Sequence, residues 1–170
     1  HAGLCERFGA RGRDDILHVR SFLDHDRPFL EPMDGAVSAD AIEDESDAAY
    51  VRGDGSVLRR GEVYRNIVEH MRRWAGVAGR HGLLLLEVHS LSVGATAKYA
   101  AEATSLHFDA LQSWSGQLLV PAAHWQLGLA HAGLLPDADL LCYPKEAPYT
   151  RITLQRLVPV EEVERKLVTT

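Results

Sequence analysis

The sequence predicts an α/β fold in which strands and helices alternate along one sheet, closed by a reversed hairpin. Three observations predict it. Leu83 to Leu91 (LLLLEVHSL) is a short continuous apolar run, the pattern of a parallel strand buried on both faces. Gly61 to Ala78 places Val63, Ile67, Met71, Trp74 and Val77 three to four residues apart, which makes one apolar stripe on a helix. After a second helical stretch come Asp139 to Tyr143 and Tyr149 to Val158, two strand-like runs joined through Pro144 and Pro148 at a spacing that suits an antiparallel pair.

The other elements follow in order. His1 to Gly12 reads as a helix end and a linker, and the start at His1 leads us to expect an upstream part. Asp15 to Leu23 (DILHVRSFL) reads as a strand, and Pro28 ends regular structure after it. Glu31 to Tyr50 carries seven acidic residues and neither Lys nor Arg, too polar for core. Ala49 to Leu58 reads as a hairpin turning at Gly53-Asp54-Gly55. Together these make a lid or insertion at about residues 26–60, since so long a loop in a compact domain is usually a binding segment.

The helix from Gly61 stops at Gly79 and Gly82. Ser92 to Gln117 gives only a short helix near Ala95 to Ala103. Gln117 to Ala132 reads as a helix ended by Gly133 and Pro136. The order is therefore strand, lid, helix, strand, helix, strand, strand, and it implies a parallel sheet covered on both faces.

Composition narrows the classes. The 170 residues are 46% hydrophobic and 25% charged, ordinary for one globular domain and unlike a disordered chain. A net charge of -6 argues against nucleic acid or an anionic membrane as partner. Cys5 and Cys142 lie too far apart to suggest a zinc motif or a disulfide framework, and a reducing cytoplasm is the expected location. No apolar run reaches about 18 residues, the length of a membrane-spanning helix.

Four segments carry a resemblance: HVRSFLDHDRPF, RNIVEHMRRW, LLLLEVHSL and FDALQSWSGQ. Together with the closing hairpin they resemble class I S-adenosylmethionine-dependent methyltransferases, and more narrowly the methyltransferase domains of polyketide-type natural-product assembly. The resemblance covers nearly the whole chain but only the C-terminal half of the family's Rossmann-like sheet, in the order strands 4-5-7-6 with the last strand antiparallel. Residues 1–170 would then be a single partial domain. The family's glycine motif after strand one and its ribose-binding acid after strand two have no counterpart here, since Gly9-Ala10-Arg11-Gly12 follows no strand. Relatives often read FDATHGYSGQ in the last segment, and some bind a metal there. Gln112 and Trp114 stand where they have His and Tyr, so a divalent metal is weighed but not expected.

Open α/β sheets hold ligands beyond the carboxyl ends of their parallel strands. That rule selects Asp24, His25, Asp26 and Arg27 after the first strand, and Glu87, His89 and Ser90 at the end of the second. His25 is a candidate base that takes the acceptor's proton, with Asp24 beside it; the plainer alternative is a turn that His25 merely caps. His89 shares a face with Glu87 at strand spacing. It is either a third catalytic candidate on the pocket wall or a satisfied interior histidine, while Glu87 reads as a structural acid bonded to backbone. His70, His124 and His131 read as ordinary helix positions.

The resemblance further implies Arg20 and Ser21 near the cofactor, and Arg27, Gln112, Trp114 and Gln117 near the substrate. It makes the chain the C-terminal part of a methyltransferase acting on a small molecule or a carrier-bound acyl group. By itself the chain is expected to be inactive and to meet its missing half, or another chain, along the strand 4 edge. The competing expectation is a degenerate or split half that serves as a non-catalytic scaffold.

Overall fold

The computed structural model describes residues 2–31, 50–104 and 106–168. The acidic run expected to form the lid lies outside these residues apart from Glu31 and Tyr50. Helix α1 (Ala2–Phe8) and a 3-10 turn (Arg13–Asp15) lead into β1 (His18–Ser21), shorter than the strand expected from Asp15. A small hairpin, β2 (Tyr50–Val51) and β3 (Val57–Leu58), turns through Gly53 to Gly55 as anticipated and leads into α2 (Arg60–Val77).

The second half of the chain begins with β4 (Leu83–Val88), α3 (Val93–Tyr99), α4 (Leu106–Trp114) and α5 (Ala122–His131). It continues with β5 (Leu134–Pro136), β6 (Leu141–Tyr143), β7 (Ile152–Pro159) and α6 (Val160–Val168).

One sheet has the order β1-β4-β7-β5, with β6 also on β7. β1 runs parallel to β4, whereas β7 is antiparallel to β4, β5 and β6. The order and directions match those expected for strands 4-5-7-6, with β5 and β6 as two pieces of one interrupted strand. The sheet as a whole is a correction to the expected parallel one: β1–β4 is its one parallel pair among the described residues, because β7 returns beside β4 and sets every later pairing.

Why α2 forms is visible in its contacts. Glu62 accepts a hydrogen bond from the Arg59 N–H at 2.6 Å, which satisfies a donor that the first turn leaves open. Val63, Ile67 and Met71 are fully buried, and each such side chain contributes about 1.5–3 kcal/mol when withdrawn from water. Gly128 of α5 lets the two helices approach closely, for a Cβ there would sit 3.1 Å from the Ile67 methyl.

These helices cover one face of the sheet, where Leu83, Leu85 and Leu157 join Trp125 and Leu129 in the core. The opposite face is barer. Val19 is 63% exposed, and Leu84, Leu86 and Val88 are only half-buried. The unbroken LLLL run therefore belongs to a strand buried on one face, and continuous apolarity overstated its cover.

Candidate active site

The chemistry collects at the carboxyl ends of β1 and β4, which are parallel neighbours in register, Ser21 opposite Leu86. After β1 the chain turns sharply. Phe22 adopts a left-handed φ of 55°, a conformation that costs a non-glycine residue energy, while its N–H donates to the Leu86 carbonyl at 2.8 Å. This turn delivers Asp24 and His25 beneath the end of β4, where both are buried.

Glu87 binds both of them. Its Oε2 accepts the Asp24 backbone N–H at 2.8 Å, and its Oε1 lies 2.6 Å from His25 Nδ1. Oε1 also accepts the Val88 N–H at 2.8 Å. A carboxylate facing three donors only accepts, so the proton of the imidazole–carboxylate bond resides on His25 Nδ1. Nε2 is then the basic nitrogen, and it has no hydrogen-bond partner among the described residues. A carboxylate that fixes the tautomer and ring plane of a histidine is the arrangement by which imidazole serves as a general base.

The remaining candidates are placed as follows. The Asp24 carboxylate is spent on neighbours: Arg20 Nη2 at 2.7 Å and His70 Nε2 at 2.8 Å. Burial alone would raise its pKa, but the bonds from His70 and Arg20 prevail and hold it below the usual carboxylate value. Arg20, expected near the cofactor, instead joins Asp24 and lies over the Trp74 ring at 4.1 Å. Ser21 is exposed at the strand's end.

Arg27, expected to meet substrate, is buried and gives its guanidinium to Asn66 Oδ1 (2.8 Å), the Asp24 carbonyl (2.7 Å) and the Leu118 carbonyl (3.2 Å). Burial lowers its pKa to about 10, yet it stays cationic at neutral pH. It closes the loop onto α2, because a buried cation must find its acceptors inside the protein, and it also lines the cleft beside this loop.

His89 is fully buried rather than on a pocket wall. It continues the alternation of Leu83, Leu85 and Glu87, so it points under α5, with Nε2 at 2.7 Å from Thr153 Oγ1 and its ring 6.1 Å from that of Trp125. Burial lowers its pKa to about 4. Trp114 is 93% exposed at the end of α4. Gln112 and Gln117 are half-buried and meet backbone to backbone, Gln117 N–H to the Gln112 carbonyl at 2.9 Å. Asp109, in the same segment, forms an ion pair with Arg151, which also holds the His89 carbonyl. Among the described residues no group of three His, Cys, Asp or Glu side chains is arranged to hold a metal ion.

Sequence reasoning missed one member of the site, His70, and the pairing of another, Glu87. Glu87 does bond backbone, as read, but its contact with His25 was not foreseen. His70 was read as an ordinary helix position. The available signal was the spacing of Asn66, His70 and Trp74, four residues apart on α2, which puts all three on one face.

Beside this loop lies a cleft of about 560 Å³, lined among others by Asp26, Phe29, Arg52, Leu58 and Leu118. A mixed, mostly antiparallel sheet with several helices and a carboxylate-bound histidine at the carboxyl edge of its parallel pair is compatible with a methyltransferase-like fold. The family comparison is more specific: the chain belongs to the AprA MT2-like domain family, whose model matches residues 4–155. It is thus a methyltransferase domain of the natural-product assembly type. No curated protein matches the chain. No helix among the described residues is long and apolar enough to cross a membrane.

Proposed function

We propose that this domain is part of an S-adenosylmethionine-dependent methyltransferase that alkylates a small molecule or a carrier-bound acyl group, with His25 as the base that takes the acceptor's proton. The observation that carries the reading is the 2.6 Å contact between His25 Nδ1 and Glu87. It orients the imidazole and leaves Nε2 as its basic atom. The acceptor enters by the cleft beside Asp26, whose neighbour in the chain is His25. A base acts when it reaches the proton directly or through one water. Glu87 keeps the ring turned for that transfer and stabilises the imidazolium that results.

The described residues do not by themselves fit the whole of the expected cofactor. Gly9 and Gly12 follow a helix, Gly53 and Gly55 lie in the hairpin, and Arg20 is committed to Asp24. This reading assigns the donors for its carboxylate, ribose and adenine to another part of the protein or to another chain. Along β1, which has β4 as its one strand partner among the described residues, a further strand from elsewhere in the protein or from another chain is proposed to pair. A cytoplasmic location completes the reading and rests on the two free cysteines.

The test is incubation of the intact protein with methyl-labelled S-adenosylmethionine and a carrier-bound acyl thioester, read by mass spectrometry. Label transferred to the acyl chain by the wild type, and lost in His25→Ala, is the expected result. A His25→Ala protein that transfers label at the wild-type rate would end the base assignment. Cofactor binding with no transfer to any acyl or small-molecule acceptor would favour the scaffold role instead.

A further inference from the structure

His25 owes its position to more than Glu87. One face of α2 presents Asn66, His70 and Trp74 at successive four-residue intervals, and each holds a different charged residue of the segment around His25. Asn66 accepts from Arg27 Nε at 2.8 Å. His70 Nε2 lies 2.8 Å from Asp24 Oδ1. Trp74 carries the Arg20 guanidinium over its ring. Arg20 in turn holds Asp24, and Arg27 holds the Asp24 carbonyl. Every polar atom of Asp24 is thereby engaged: the carboxylate with Arg20 and His70, the N–H with Glu87, and the carbonyl with Arg27.

We propose that His70 is a positioning residue for the reaction: by holding the Asp24 carboxylate from α2, it fixes the segment so that the Asp24 N–H and the His25 imidazole close together on Glu87. The inference rests on His25 as base. The geometry gives it a direction of action. Asp24 and His25 are consecutive, and they bind the two oxygens of one carboxylate. A rotation of Asp24 that turns its N–H off Oε2 also swings the His25 ring off Oε1. Arg20 and His70 approach the Asp24 carboxylate from β1 and α2, so losing either leaves a single tether on a side chain that two had immobilised. His70 is 22% exposed, so its replacement need not open the core. An amide in its place retains a donor: Gln reaches about as far as the imidazole Nε2.

The experiment reads position and turnover separately, in the intact protein. The His25 Nδ1 proton, hydrogen-bonded to Glu87 and buried, gives a far-downfield proton NMR resonance, assigned by its loss in His25→Gln. In His70→Ala this resonance is expected to broaden or vanish. The turnover rate should fall about tenfold or more with the apparent substrate constant held within about twofold, as for loss of transition-state geometry rather than of binding. His70→Gln should restore both, and a melting curve confirms that each variant is folded. A resonance unchanged in His70→Ala overturns the positioning role, whatever the rate. Failure of His70→Gln to restore the resonance also overturns it, since the hydrogen bond to Asp24 would not be what matters. A resonance lost while turnover stays at the wild-type value upholds the hold of His70 on His25 and overturns the role of His25 as base.

Discussion

His25 and Glu87, 62 residues apart in sequence, meet at 2.6 Å because β1 and β4 are parallel and in register. The same Glu87 takes the backbone N–H of Asp24, so one carboxylate sets both the path of the chain and the orientation of the imidazole.

The first prediction concerns that pair. His25→Ala should lower turnover by about 10²-fold or more, the usual cost of losing a general base. Glu87→Gln keeps an acceptor for the Asp24 N–H but removes the charge that steadies an imidazolium, and should cost about 10- to 100-fold in turnover. Cofactor affinity should hardly change in either. Steady-state kinetics and a binding titration check both statements. Equal turnover in Glu87→Gln and wild type would mean that the carboxylate acts only on the fold.

Arg27 tests the structural side of the same loop. Removing its guanidinium leaves the Asn66 side-chain oxygen and the carbonyls of Asp24 and Leu118 without their donor inside the protein. Arg27→Ala should destabilise by about 3 kcal/mol or more, since breaking a buried charged hydrogen-bond set costs that much. Arg27→Lys should recover only part of the loss, because an ammonium cannot fork to all three acceptors. Urea denaturation measures it, and a loss below about 1 kcal/mol would contradict the prediction.

His89 makes stability depend on pH. Burial holds its folded pKa at about 4, against about 6.5 in an unfolded chain. Between these values the unfolded state binds the extra proton. The contribution is therefore complete above about pH 6.5 and lost as pH falls through 4. The loss is about 3 kcal/mol. Asp24, with its lowered pKa, adds its own loss only below its ordinary value of 3.8, so the two windows separate. In His89→Gln the decline between pH 6.5 and 4 should largely disappear from denaturation curves recorded across that range. A variant with the same slope as the wild type would place the titrating group elsewhere.

Gly82 carries a backbone constraint at the start of β4. Its φ is +69°, and a Cβ there would collide with the Leu157 carbonyl on β7. Gly82→Ala should thus destabilise by about 2 kcal/mol or more through strain and displacement of the β4–β7 pairing. Gly53→Ala, in the hairpin where a Cβ meets nothing within 4 Å, serves as the control and should change stability by less than about 1 kcal/mol. Thermal melts of the two variants decide it.

What the sequence disclosed follows the physics of its signals. α2 was legible because its apolar stripe repeats at helical period, and β4 and β7 because apolar runs bounded by Gly and Pro leave few alternatives. β5 was not, since Gly133 and Pro136 read as helix stops although the chain re-enters the sheet between them. α4 carries no buried side chain to pattern it, and its segment stayed unassigned. At the candidate site, the rule that ligands bind beyond the carboxyl ends of parallel strands singles out His25. Its pairing with Glu87 could not be read, since a contact across 62 residues leaves no periodic trace. For His89 the shared face with Glu87 was read correctly. Which face α5 covers was not encoded in β4 itself, and that decided between pocket and interior.

The four-residue spacing of Asn66, His70 and Trp74 has a consequence for how such a domain can change. A helix advances about 100° per residue. One residue inserted or deleted early in α2 would swing all three side chains away from Arg27, Asp24 and Arg20 in a single step. It would also turn the stripe of Val63, Ile67 and Met71 out of the core. Helix phase and loop geometry are thus one inherited unit. Point substitutions can tune the loop contact by contact, but changes in helix length between the loop's anchors are closed to it.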